Sequence, residues 1–247
     1  MFWGPNSLRV PRFAIAAIVA LSATAAAANI LVVRSTGPSA KAYPPGRSIP
    51  PNARITLRQG DALVLLDGRG TRQLRGPGTF TAGAAAQGTT RSQLTTGSGG
   101  RVGRVGAVRD LLDSGTRPPT LWHVDVSQSS TVCVADSSNI LLWRPSATRT
   151  VNLTIAPTAG GASPKTVAWP AGQASIAWPV DVRIATGSEY RLSVEGVAVP
   201  TRLRFRILPA APQGMEATAS SFIQNGCQTQ LDLLVDTFQL PAPAGTR

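Results

Sequence analysis

From position 30 onward the chain is built of short apolar runs broken by turn residues. ILVV at 30–33, ITL at 55–57, ALVLL at 62–66, TRQL at 71–74 and TFT at 79–81 are strand candidates. YPPG at 43–46 and PPN at 50–52 turn the chain between them. Asp67-Gly68 predicts a hairpin with a type I′ turn, whose central residues need φ > 0, and Gly76-Pro77-Gly78 predicts another turn. A second series runs through 121–126, 131–135, 140–143, 151–155, 166–169, 174–178, 190–194 and 201–207. Eight short strands at roughly 8–12 residue spacing predict a two-sheet sandwich of immunoglobulin-like kind. Within it, AWP at 168–170 recurs at 177–179 around AGQ at 171–173, which reads as one hairpin. After 208 the period changes. Ala217, Ala219, Phe222 and Ile223 are spaced as on a helix, Gly226 suits its C-terminal cap, and Leu231, Leu234, Val235 and Phe238 resume the stripe. Two short helices are expected there.

The glycines at 68–78 have a chemical alternative, which the spacing excludes. A dinucleotide loop needs G-x-G-x-x-G between a strand and a helix, so that pyrophosphate meets the helix N-terminus. Gly68-Arg69-Gly70 starts that way, but Gln73 replaces the third glycine, and the residues that follow turn instead of forming a helix. No Gly-Lys pair exists for a phosphate P-loop. These glycines turn a sheet.

Gly46, Ile55, Gln59-Gly60-Asp61, the LVLL run at 63–66, Asp67-Gly68, Arg72 and Leu74 together resemble the FecR-type periplasmic domain. The resemblance covers about 50 residues, a fifth of the chain. It implies an extracytoplasmic β-module made for contacts. Regulatory members of that family carry a cytoplasmic helical segment that signals to a sigma factor. Only about a dozen residues precede the apolar stretch here, so a direct sigma-factor role is not expected. GSEYRLSV at 187–194 resembles the turn-and-tyrosine strand of fibronectin-like modules.

The expected organisation is an export signal at 1–28, a FecR-like β-domain at 29–82, a flexible basic linker at 83–119, a β-sandwich at 120–208 and a helical tail at 209–247. The signal reading rests on Arg9 and Arg12, the apolar FAIAAIVAL at 13–21, and Ala26 and Ala28 before a cut at Asn29. An uncleaved anchor is the alternative, since no charge falls between Phe13 and Arg34. The linker contains GAAAQG and TTGSGG, too poor in apolar surface to offset ordering entropy, and a basic stretch with Val102, Val105 and Val108 three apart. A helical turn or two is expected at 107–113.

Composition narrows the function. The net charge is +12, with 24 basic and 12 acidic residues, but only Lys41 and Lys165 are lysine and the charges are scattered. That pattern implies attraction to anionic surfaces rather than nucleic acid, which an exported protein rarely meets. Cys133 and Cys227 are expected to form one disulfide in an oxidising compartment, two buried free thiols being the alternative. With one histidine and no C-x-x-C pair, no metal site or cofactor is expected.

Candidate chemistry is sparse. His123 and Asp125 share a strand face, which allows acid–base work, yet no nucleophile is marked beside them. The carboxylates form no cluster: Asp232 and Asp236 lie four apart on a wet helix face, and Glu189 and Glu195 flank a strand. Trp143, Trp169 and Trp178 could stack on sugars, although strand aromatics more often fill a core. Arg202, Arg204 and Arg206 alternate with Leu203, Phe205 and Ile207, placing three guanidinium groups on one face suited to phosphate or carboxylate. The expected function is a non-enzymatic, exported envelope protein that binds a protein or an anionic envelope component through these arginines. A glycan-binding module and a hydrolase with an unrecognised carboxylate site are the alternatives.

Overall fold

The computed structural model describes Met1 and residues 29–84, 117–160 and 162–239. Most of the expected linker, with its valines and the helical turn at 107–113, lies outside the described residues, as does the expected export signal.

The protein is mainly β with a short C-terminal helical segment. The first unit contains β1 (Ile30–Thr36), β2 (Ser48–Ile49), β3 (Arg54–Leu57), β4 (Ala62–Asp67), β5 (Gly70–Arg75) and β6 (Gly78–Thr81). A four-stranded sheet runs β2-β1-β4-β5, and β3 pairs with β6 in a second, two-stranded sheet. Ile30, Val32, Leu63 and Leu65 point from the larger sheet toward Ile55 and Leu57 of the smaller one. Their sequence neighbours Leu31, Val33, Val64 and Leu66 are buried on the opposite face. That is why the ILVV and LVLL runs do not alternate with polar residues: both sheet faces are covered.

Turn chemistry fixes this unit. Asp61 is buried, accepts the Ser39 N–H at 2.9 Å on one carboxylate oxygen and the Arg58 N–H on the other. A Cβ on Gly37 would stand 2.5 Å from that carboxylate, so only glycine fits there. The β4–β5 hairpin forms as expected, but its loop is Gly68-Arg69, closed by the Asp67–Gly70 pair. The positive φ falls on Gly70 (141°) and not on Gly68, because the Asp67 carboxylate accepts the Arg69 N–H at 2.8 Å and holds the turn itself.

The second unit is a β-sandwich. Its strands are β7 (His123–Asp125), β8 (Ser130–Val134), β9 (Leu141–Trp143), β10 (Val151–Pro157), β11 (Lys165–Trp169), β12 (Ser175–Ala177), β13 (Glu189–Val194) and β14 (Thr201–Ile207). They form a five-stranded sheet, β11-β10-β13-β14-β8, facing a three-stranded one, β12-β9-β7. The β14–β8 and β7–β9 pairs are parallel. The expected AWP hairpin is not formed. β11 pairs with β10 and β12 with β9, so the chain crosses from one sheet to the other at the AGQ turn. The repeated residues do one job twice: the Trp169 indole N–H donates to the Gln173 carbonyl at 2.8 Å, and that of Trp178 to the Val182 carbonyl at 2.7 Å. Each Trp-Pro pair ends a strand by folding the chain over the indole.

Helix α1 (Gly214–Asn225) ends at Gly226 in the left-handed conformation (φ 70°), and α2 (Gln228–Thr237) follows. Their buried residues are Thr218, Ala219, Phe222, Gln230, Leu231, Leu234 and Val235. Ala217 and Phe238, both expected in the apolar stripe, are exposed. The helices share one apolar cluster with Leu31, Val33, Val64 and Leu66 of the first unit and with Cys133 and Leu208 of the sandwich. They are therefore the layer between the two β-units. Cys133 and Cys227 are disulfide-bonded, joining β8 to the turn between the helices.

Candidate functional site: an arginine face on the sandwich

The five-stranded sheet carries its apolar residues inward. Tyr190, Leu192, Leu203 and Phe205 of β13 and β14 are buried. Trp178 meets Tyr190 and Phe205 edge-on, with ring centroids 5.2 Å apart in both cases. Strand alternation then forces Arg202, Arg204 and Arg206 onto the outer face, together with Glu189 and Arg191 from the neighbouring strand.

Register decides what each arginine can do. Arg204 stands opposite Glu189 and forms an ion pair at 3.1 Å. It is the one member of the expected trio with a carboxylate partner among the described residues. Arg202 stands opposite Arg191, a residue the sequence reading missed because it lies on another strand. The Phe205 N–H bonds to the Ser188 carbonyl, and the Gly187 N–H to the Phe205 carbonyl, so position 189/204 is non-hydrogen-bonded. Position 191/202, two residues along, has the same character, with Cα atoms about 4.5 Å apart and side chains close. Two like charges directly opposite in this register work against the sheet. Arg206 lies beside Cys133 on β8 and is half-buried. Among the described residues, β13 and β14 therefore bring four arginines and the Glu189 carboxylate to this face, over an aromatic base. Guanidinium groups in this arrangement suit phosphate or carboxylate groups.

The other sequence candidates are placed differently. The His123 Nδ1 lies 2.8 Å from the Thr120 hydroxyl, and burial lowers the imidazole pKa, keeping it neutral near pH 7. Asp125 does not serve it: its carboxylate accepts from the Ser127 N–H and hydroxyl and from the Gln128 amide. Both residues line a cleft of about 20 Å³, room for one water. Trp143, Trp169 and Trp178 are buried and leave no face for a sugar. Asp232 and Asp236 are not a bare wet face. They pair with Arg34 of β1 and with Arg117 at the approach to the sandwich, because α2 lies between the two units. Glu195 accepts from the backbone and side chain of Asn152. Arg72 is buried and donates to the Ala84 carbonyl. Among the described residues, no three His, Cys, Asp or Glu side chains gather as metal ligands would, and no helix is long and apolar enough to cross a membrane.

Comparison with protein-family models, with curated proteins and with solved structures found no match to this chain.

Proposed function

We propose that this protein is an exported, non-enzymatic accessory or sensory component of the cell envelope that holds an anionic partner on its arginine face. The observation that carries the reading is the Arg191–Arg202 pair. Two arginines stand opposite each other at a close register position, with Arg206 on the same face and, among the described residues, the Glu189 carboxylate paired to Arg204 beside them. A phosphate or carboxylate bridging that pair removes the repulsion and gains charge-assisted hydrogen bonds. The disulfide supports an oxidising location. The basic, lysine-poor composition supports an acidic partner, an envelope protein or polymer, in place of nucleic acid. The FecR-like pattern at 29–82 and the fibronectin-like strand at 187–194 are consistent with a module built for contacts outside the cytosol.

The test is crosslinking and pull-down from the envelope fraction, with the mature N-terminus sequenced in the same sample. The wild type is compared with a triple R191Q/R202Q/R206Q variant whose unfolding curve matches it. Cleavage before Asn29 and loss of the captured partner in the variant support the reading. Recovery from the cytosol, or equal capture by both proteins, overturns it.

A further inference from the structure

The first unit contains a second basic feature, independent of the sandwich. A cleft of about 310 Å³ opens between β2 and β3, lined by Tyr43, Arg47, Ser48, Pro50 and Arg54 among others, and among the described residues no acidic one lines it. Both strands are edges. Among the described residues, β2 pairs only with β1, and β3 only with β6.

The ladders dictate where the backbone groups of these edges point. The Val32 N–H bonds to the Arg47 carbonyl, flanking the Leu31–Ser48 pair, so Ser48 is a non-hydrogen-bonded position. Its own N–H and C=O face away from β1. The Ala82 N–H bonds to the Ala53 carbonyl, flanking the Arg54–Thr81 pair, so the N–H and C=O of Arg54 face away from β6. Thr56, two residues along, points its N–H the same way, and there the Tyr43 hydroxyl accepts it at 3.2 Å. Ser48 and Arg54 have no such partner among the described residues. Arg47 lies over the Tyr43 ring, 5.7 Å from its centroid, and its guanidinium also donates to the Ala42 carbonyl. Arg54 is exposed and makes no ion pair among the described residues.

We propose that this cleft binds an extended acidic peptide, which enters as an added strand. Its main chain hydrogen-bonds to Ser48 and Arg54, as the Tyr43 hydroxyl already does to Thr56. Its carboxylates meet Arg47 and Arg54. Free strand edges take peptides in this way, with the main chain supplying affinity and side-chain contacts the choice of sequence.

The probe is an acetylated, amidated hexapeptide of alternating valine and glutamate, added to the full chain labelled with ¹⁵N. The expected result is movement of the Ser48 and Arg54 amide signals, and at least tenfold weaker binding in R47Q/R54Q and in R54Q alone. Both variants keep the wild-type unfolding curve. A backbone N-methylated peptide and the glutamine counterpart bind at least tenfold more weakly. The triple R191Q/R202Q/R206Q variant binds the probe as the wild type does, which separates this cleft from the sandwich face. The proposal is overturned by unmoved amides at millimolar peptide, by equal binding of the N-methylated peptide, or by the same shifts with free glutamate. Loss of binding in the sandwich variant alone also overturns it.

Discussion

The carboxamide of Gln230 pairs with the backbone of Cys133 as another strand would. Its Oε1 accepts the Cys133 N–H at 2.7 Å, and its Nε2 donates to the Cys133 carbonyl at 2.9 Å and to the Leu121 carbonyl at 2.8 Å. Cys133 lies on β8, the edge of the five-stranded sheet, and so one buried side chain from α2 closes that edge. The disulfide fastens the same residue to the start of the same helix.

Replacing Gln230 by alanine therefore leaves the two buried backbone groups of Cys133, and the partly buried Leu121 carbonyl, without this partner. The expected cost is about 2–4 kcal/mol, since each unmet group carries part of its desolvation penalty. Denaturant unfolding of Q230A measures it. Q230E, which cannot donate to either carbonyl when ionised, is expected to be at least as damaging.

The disulfide closes a loop of 94 residues in sequence separation. Removing it with C133A/C227A is expected to lower stability by about 4 kcal/mol, mostly by freeing the unfolded chain. Both cysteines are buried, at 1% and 0% exposure. Reduction of the native protein is therefore expected to be slow and to accelerate in urea concentrations that open α2, followed by thiol labelling over time.

Asp61 gives the stability a predictable acid limb. Burial opposes its charge, but the hydrogen bonds from Ser39 and Arg58 outweigh that, and its pKa is held below the ordinary carboxylate value. A depressed carboxylate contributes stability above its unfolded pKa, near 3.9, and loses it as pH falls through the lower folded value. Asp61→Asn is expected to unfold earlier than wild type at pH 7. The two melting temperatures should converge as pH falls below the ordinary carboxylate range and through the lower folded value, which thermal melts across an acid pH series check.

On the sandwich face, Glu189 occupies Arg204, so under the proposed function it competes with an anionic partner for that guanidinium. Glu189→Gln is expected to strengthen binding to a polyanion such as polyglutamate and to steepen its salt dependence. Titrations at two ionic strengths measure both. This exposed pair contributes little to folding, so stability should change by less than about 1 kcal/mol.

Trp169 and Trp178 are held inside the core by their own downstream carbonyls. Trp169→Ala is expected to cost about 3–5 kcal/mol. Emission from these tryptophans should not respond to added sugars or to a small aqueous quencher, apart from the half-exposed Trp122.

Much of the strand content was legible because turn residues punctuate it. Glycine, proline and Asx turns bound every run, and all eight sandwich strands fall where spacing places them. β2 was missed because it is two residues long between prolines and exists only through β1. Arg191 was missed because alternation along one strand shows which residues share a face, whereas only pairing shows what stands opposite. Gln230 gave no local signal at all: a glutamine on a helix reads as a wet position until a strand edge lies beside it.

The sequence by itself determined the β class, the helical tail and its glycine stop, and the outward row Arg202, Arg204, Arg206, since these follow from local period and backbone conformation. Tertiary structure decided that the tail is a shared layer between two β-units, that Arg204 is neutralised while Arg202 faces Arg191, and that the two tryptophan motifs cap strands in different sheets. The physical reason is that such outcomes depend on register and on contacts between residues far apart in the chain, and no short stretch of sequence encodes which of its faces another element will cover.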